Sequence, residues 1–409
     1  MTLPERIRQI EVRIDGALSG LLTHASRFAF TYSGDDLALP AVGLLMPRSK
    51  LLVESTALFP VMDQNLPEGY LFQALREAFP KQSLTPMHLL ALIGANAIGR
   101  LEFGFPNAPP VPPARPIDRA TILNGSGPSL FPQLINAYLA SGAGIAGVQP
   151  KVMVPERATV PVPNLIVKSG SSSFPHLAAN EYMCLTAARL AGIAVPTFEL
   201  SQDGTLLVLD RFDLVSTPAG TIRLGFEDIA ALTGQQVRDT LSERKYHGSY
   251  EGVAQVLRAV GVPAKDLAAF FGHVALSVMV RNGDAHLKNF GVLYSSTADV
   301  RLAPLFDVVT TALYRYRRFD GGPELEDNTL ALKMFRGKNQ RSRDYPLPAE
   351  LHRFGVQSCR VSRPAETLER IAQGMSEALR TLKGDPRIPA DLHERMAALW
   401  ERGYAYART

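Results

Sequence analysis

Only two cysteines, Cys184 and Cys359, occur in 409 residues. That is too few for a disulfide framework and points to a reducing cytosol. No apolar run approaches the roughly twenty residues that a bilayer-spanning helix needs, so no membrane span is expected. The opening stretch MTLPERIRQIEVRIDG lacks the apolar segment of a signal peptide. GxSxG is absent, which argues against an α/β-hydrolase. His24, His88, His176, His247, His273 and His352 stand without metal-ligand spacing and without a cysteine partner, which argues against structural zinc. Nor is there a large excess of one charge. A net +4 and a pI near 9.0 permit an acidic partner without demanding one.

What is present suffices for two or three lobes, each with its own core. Residues 1–104 read as a small mixed domain. Ile10–Ile14 and Arg27–Thr31 alternate as half-buried strands do. Leu71–Phe79 and Met87–Ile98 have helical periodicity, the second opened by Thr85-Pro86. The segment 105–118 holds six prolines and marks a linker. From 119 to 213 come a glycine-rich stretch at Gly142–Gly147 and strand-like runs at 152–154, 165–168 and 205–213. The helix-like NEYMCLTAARLAG (180–192) lies between the last two. From 214 to 409 the pattern is mainly helical, including FEDIAALTG, YEGVAQVLRAVG and the very apolar LAAFFGHVALSVMVRN. Strands with one helix, then a helical lobe, predict an α+β, two-lobed, protein-kinase-like fold with a β-rich N-terminal subdomain.

The chemistry concentrates in VRNGDAHLKNF, Val280–Phe290. Asp284 precedes Asn289 by five residues, and Asp307 in LAPLFDVV follows Asp284 by 23. Phosphoryl transfer from ATP needs a carboxylate to orient the acceptor hydroxyl, and an Asn and a second Asp to hold magnesium on the phosphates. Asp284 is therefore the expected base, with Asn289 and Asp307 as Mg²⁺ ligands. Lys288 is placed to neutralise the transferring phosphoryl group. His286 positions the loop, contacts phosphate, or is a satisfied polar residue. Gly142, Gly144 and Gly147 fit GxGxxG, but a helix-like run precedes them, and Lys168 fills the slot where a dinucleotide site needs an acid. A strand-side Lys after a glycine-rich loop suits a kinase instead. Glu181 either pairs with Lys168 or simply favours the positive end of its helix. Two basic stretches, Tyr314–Arg318 and Lys333–Arg343, are either solvated faces or surfaces for an acidic protein substrate, or for nucleic acid brought by a partner.

With these residues in hand the chain resembles the HipA family of toxin serine/threonine kinases from bacterial toxin–antitoxin modules linked to persistence. AGVQPK (146–151) is similar to the family's phosphate loop, NEYMCLTAARLAGIAVP (180–196) to its N-lobe helix, and LDRFD (209–213) to its hinge. GDAHLKNF and PLFDVV match the catalytic loop and metal strand, and DQNLPEGYL (63–71) the N-terminal subdomain. The resemblance implies that Ala146, Gly147, Val148, Gln149, Pro150 and Lys151 wrap the phosphates, and that Lys168 contacts them. It places Asp210, Arg211 and Phe212 at the adenine hinge, with His286, Lys288 and Phe306 in the same pocket. It implies ATP and Mg²⁺ as cofactors, a protein substrate such as an aminoacyl-tRNA synthetase, and a helix-turn-helix antitoxin that alone touches DNA. Where many members autophosphorylate a Ser, this chain has Gly144, so silencing at that position is not expected. A small-molecule or lipid kinase, and a non-catalytic partner of a DNA-binding antitoxin, are the rival readings.

Overall fold

The computed structural model describes residues 3–107, 118–142, 158–162, 164–170, 174–218, 220–237, 239–316, 322–337 and 342–408. The first five strands, β1 (Gln9–Ile14), β2 (Ala17–His24), β3 (Phe28–Tyr32), β4 (Leu52–Ser55) and β5 (Leu101–Gly104), form one antiparallel sheet in the order β4-β3-β2-β1-β5. The alternation read in β1 buries Ile10, Val12 and Ile14, as a period of two requires. Strand β2 escapes the same reading because its burial does not alternate. Three helices follow in this subdomain: α1 (Pro60–Asp63), α2 (Gly69–Ala78) and α3 (Pro86–Ile93). Thr85 caps the last of them by accepting from the His88 amide.

Helices α4 (Arg119–Asn124) and α5 (Gly127–Gly142) lead to a second antiparallel sheet. Its strands are β6 (Ala158–Val162), β7 (Leu165–Ser169), β8 (Phe198–Leu200) and β9 (Leu206–Asp210), in the order β6-β7-β9-β8. Both faces of this sheet are covered. Leu165, Val167, Leu206 and Val208 join the core of the N-terminal subdomain, whereas Ile166, Leu207 and Leu209 join that of the helical lobe. Side chains alternate across a strand, so a sheet buried on both sides reads as unbroken apolar runs such as LIV and LLVL. Between β7 and β8 lies α6 (Leu177–Leu190), against the second face.

The C-lobe has a hairpin, β10 (Leu214–Thr217) with β11 (Gly220–Arg223), and a three-stranded sheet of β12 (Gly225–Asp228), β13 (Gly291–Ser296) and β14 (Asp299–Leu302). Its helices are α7 (Ile229–Leu232), α8 (Tyr250–Ala259), α9 (Ala264–Met279), α10 (Pro348–Arg353), α11 (Pro364–Thr381) and α12 (Ala390–Tyr404). FEDIAALTG, read as helix, is half strand: Phe226 pairs with Leu293 of β13, a partner 67 positions away that local periodicity cannot register. Asp228 then caps α7, accepting from Ala231 N at 2.7 Å. Helix α11 lies so close to α6 that a Cβ on Gly374 would stand 2.6 Å from the Ala187 carbonyl oxygen. Among the described residues no helix is long and apolar enough to cross a membrane. The architecture is the expected two-lobed α+β kinase-like fold.

Candidate active site

Lys168 sits at the end of a wholly buried strand, β7. Its ammonium donates to Glu181 Oε1 at 2.7 Å and also to Asp307 Oδ1. Of the two readings of Glu181 the structure selects the ion pair. Burial by itself would depress the Lys168 pKa, but the carboxylates of Asp307 and Glu181 outweigh it and hold the value above normal. This lysine therefore remains a cation.

Helix α6 is fixed against the Asp307 segment by one buried amide. Asn180 accepts from Thr310 N at 2.9 Å and donates to Thr310 O at 3.1 Å. Thr310 is held from the other side, where fully buried Trp400 of α12 donates Nε1 to its hydroxyl at 2.8 Å. Asp307 itself has a positive φ of 55°. Asp tolerates that region better than most residues, and such outliers concentrate at functional sites.

The expected catalytic loop leaves the buried end of α9. Arg281 turns the chain at φ 60°, and its carbonyl accepts from Thr311 N at 3.1 Å. Asn282 Oδ1 accepts from Asp284 N at 3.0 Å, an Asx turn. Gly283 is required by close approach: a Cβ there would stand 2.5 Å from the Thr329 carbonyl oxygen. The turn thus aims Asp284 outward, and Tyr246 Oη donates to its Oδ1 at 2.8 Å. Asn289 donates Nδ2 to the Asp307 carbonyl at 3.3 Å, while its buried Oδ1 has no hydrogen-bond partner among the described residues. His286 is also buried, with Nδ1 unpartnered among the described residues. Burial pushes its pKa down to about 4, against the opposing pull of Asp284, so the ring is neutral at ordinary pH.

The remaining expected residues have partners of their own. The Lys288 ammonium pairs with Glu68 of the N-terminal subdomain, and the nearby Asp228 and Asp63 carboxyls further offset the cost of its burial. The Arg211 guanidinium is buried and bonded within the fold. It donates to Ala97 O at 2.7 Å and to Asp213 Oδ2 at 2.5 Å, and Asp213 in turn accepts from Gly99 N at 2.7 Å. LDRFD therefore also bolts the N-terminal subdomain to the second sheet. Asp210 pairs with Arg119 of α4. Phe212 stacks on Phe306 with centroids 5.2 Å apart, and Phe226, which the sequence did not single out, closes the aromatic group edge-on. The phosphate-loop residues Ala146, Gly147, Val148, Gln149, Pro150 and Lys151, and Gly144 with them, lie outside the described residues. Tyr246 and Asn180 are the functional candidates missed from sequence. Asn180 was visible only as a polar residue at the start of a helix-like run, and Tyr246 left no signal.

This arrangement fits a magnesium–nucleotide tail. Among the described residues no three His, Cys, Asp or Glu side chains form a self-sufficient metal cage. Magnesium in such enzymes needs only one or two protein carboxylates beside substrate phosphates. The unpartnered Asn289 Oδ1, next to Asp307, is an acceptor of the right kind.

Comparison with known proteins agrees with the geometry. Relatives in Sinorhizobium fredii include "Putative kinase Y4dM", 30% identical over 164 residues, 36% of this chain and 38% of that protein's length. "Putative kinase Y4mE" from the same organism is 26% identical over 337 residues, 75% of this chain and 78% of its own. Among solved structures, Shewanella oneidensis HipA, described in complex with HipB and operator DNA, superposes with a TM-score of 0.67 at 16% identity. It covers 98% of this chain and 96% of its own. The HipA N-terminal domain profile matches residues 10–104 and the HipA-like C-terminal domain profile residues 143–382, and the chain belongs to the HipA family.

Proposed function

We propose that the protein is an ATP- and Mg²⁺-dependent serine/threonine protein kinase that acts as the toxin of a toxin–antitoxin module. One observation carries the reading: Lys168 joins Glu181 to Asp307, and the free acceptor of Asn289 stands beside that same aspartate. A binding module has no use for a buried lysine between two acids next to an unpaired amide oxygen, because each costs stability.

Asn289 and Asp307 would hold magnesium, which when bound neutralises the phosphate charge. Lys168 meets the same phosphates from β7. Asp284 receives the proton of the acceptor hydroxyl as its oxygen bonds to the γ-phosphorus and the bond to the β–γ bridging oxygen breaks, leaving ADP. Tyr246 fixes the orientation of that carboxylate, and neutral His286 packs against the Tyr246 ring at 5.3 Å. Phe212, Phe306 and Asp210 border the adenine side. The partner is a helix-turn-helix antitoxin, as the HipB complex of the Shewanella relative supports, and a translation enzyme such as an aminoacyl-tRNA synthetase is the substrate.

Transfer of labelled phosphate to proteins of the host lysate, by wild type and by Asp284→Gln, tests the proposal. Transfer should be lost in the variant. If the two proteins transfer equally little, the chain is a kinase-shaped binding partner.

A further inference from the structure

A cavity of about 700 Å³ opens on the far side of Tyr246. Tyr246 and Leu287, the latter on the catalytic loop, form its wall toward Asp284, and Lys333, Arg336, Arg343 and His247 are among its other lining residues, with Ile229, Val253 and Phe335. Among the described residues no aspartate or glutamate lines it. Nor, among the described residues, are its cations consumed by ion pairs. Arg343 donates to the Tyr246 carbonyl at 3.0 Å, the Arg336 guanidinium meets the neutral Gln255 amide, and Lys333 Nζ has no partner among the described residues. Glu251 is nearby, but its carboxylate accepts from the Arg336 backbone amide at 2.7 Å.

Three cations around an acid-free hollow create a positive potential that only an anionic ligand relieves, and concave walls focus it. The hollow shares Tyr246 with the base, whose carboxylate that phenol orients. A ligand here thus lies beside the acceptor site. Building on the kinase reading above, we infer that this cavity is a docking subsite for an acidic segment of the protein substrate, a few residues from the accepting hydroxyl. Lys333, Arg336 and Arg343 then set substrate choice rather than merely solvating a face.

The test uses full-length protein carrying Asp284→Asn, which cannot turn over, and a fluorescein-labelled Glu-rich peptide with a central serine. Anisotropy should show binding that weakens with salt, is lost when Gln replaces Glu in the peptide, and falls about tenfold or more in Lys333→Glu/Arg336→Glu. Lys333→Arg/Arg336→Lys should bind as the parent does, showing that the loss is of charge and not of fold. In the active protein the reversed-charge pair should raise KM for the Glu-rich peptide and leave kcat near wild type. Equal binding of Glu and Gln peptides, or of the reversed-charge variant, overturns the inference. So does a single-stranded oligonucleotide that displaces the peptide and loses affinity through the same two substitutions while the free peptide does not. Intact, charge-dependent peptide binding without any phosphate transfer by wild type supports the subsite and sinks the kinase reading alone.

Discussion

Asn180→Leu is the most direct probe of how the site is assembled. The side chain is fully buried and satisfies both backbone groups of Thr310, at 2.9 and 3.1 Å. Leucine fills nearly the same volume but leaves that N–H and C=O without partners in an apolar environment. An orphaned buried group costs about 1–3 kcal/mol. Losing both partly through relaxation comes to about 3 kcal/mol, or roughly a hundredfold in local opening. The damage falls between α6, which carries Glu181, and the segment that carries Asp307, so Lys168 should lose its double attachment. Hydrogen exchange followed by mass spectrometry should show amides 308–314 exchanging about a hundredfold faster, with α9 protected as in wild type. Calorimetric titration should show Mg²⁺–ATP affinity lower by about tenfold. Wild-type exchange in 308–314 together with wild-type ATP affinity would refute the idea that this amide holds the two lobes of the site in register.

Tyr246→Phe removes the hydrogen bond to Asp284 and keeps the ring that packs on His286. A bond to a charged group is worth about 1.5–3 kcal/mol, so kcat should fall at least tenfold with KM for ATP unchanged in steady-state assays. Gly283→Ala drives a methyl toward the Thr329 carbonyl, at a cost of about 1–3 kcal/mol. Transfer should collapse while far-UV circular dichroism stays native. Glu227 is buried with its Oε1 accepting from Leu44 N and Tyr294 Oη, and burial raises its pKa to about 7 from 4.5. The raised folded value means that its contribution is fully present below pH 4.5 and is lost as pH climbs through 7. The loss amounts to about 3 kcal/mol. Urea midpoints measured from pH 5 to 8 should fall in wild type and stay flatter in Glu227→Gln.

Local pattern was enough for most elements and for naming the candidate reacting groups. Alternation marked β1 and β3, helical periodicity marked α2, α3, α8 and α9, and the Asp284, Asn289 and Asp307 spacing named a chemistry before any contact was known. These features are read from short stretches and their spacing along the chain, where backbone period and side-chain type suffice. Tertiary structure decided everything that depends on distant partners. It made Phe226 part of a strand by pairing it with Leu293, gave Arg211 to the N-terminal subdomain, and tied Lys288 to Glu68. It supplied Tyr246 to Asp284 and Asn180 to Thr310 across 38 and 130 positions. A side chain's type states what it can bond, but only the packed fold determines which of many equal partners stands within reach.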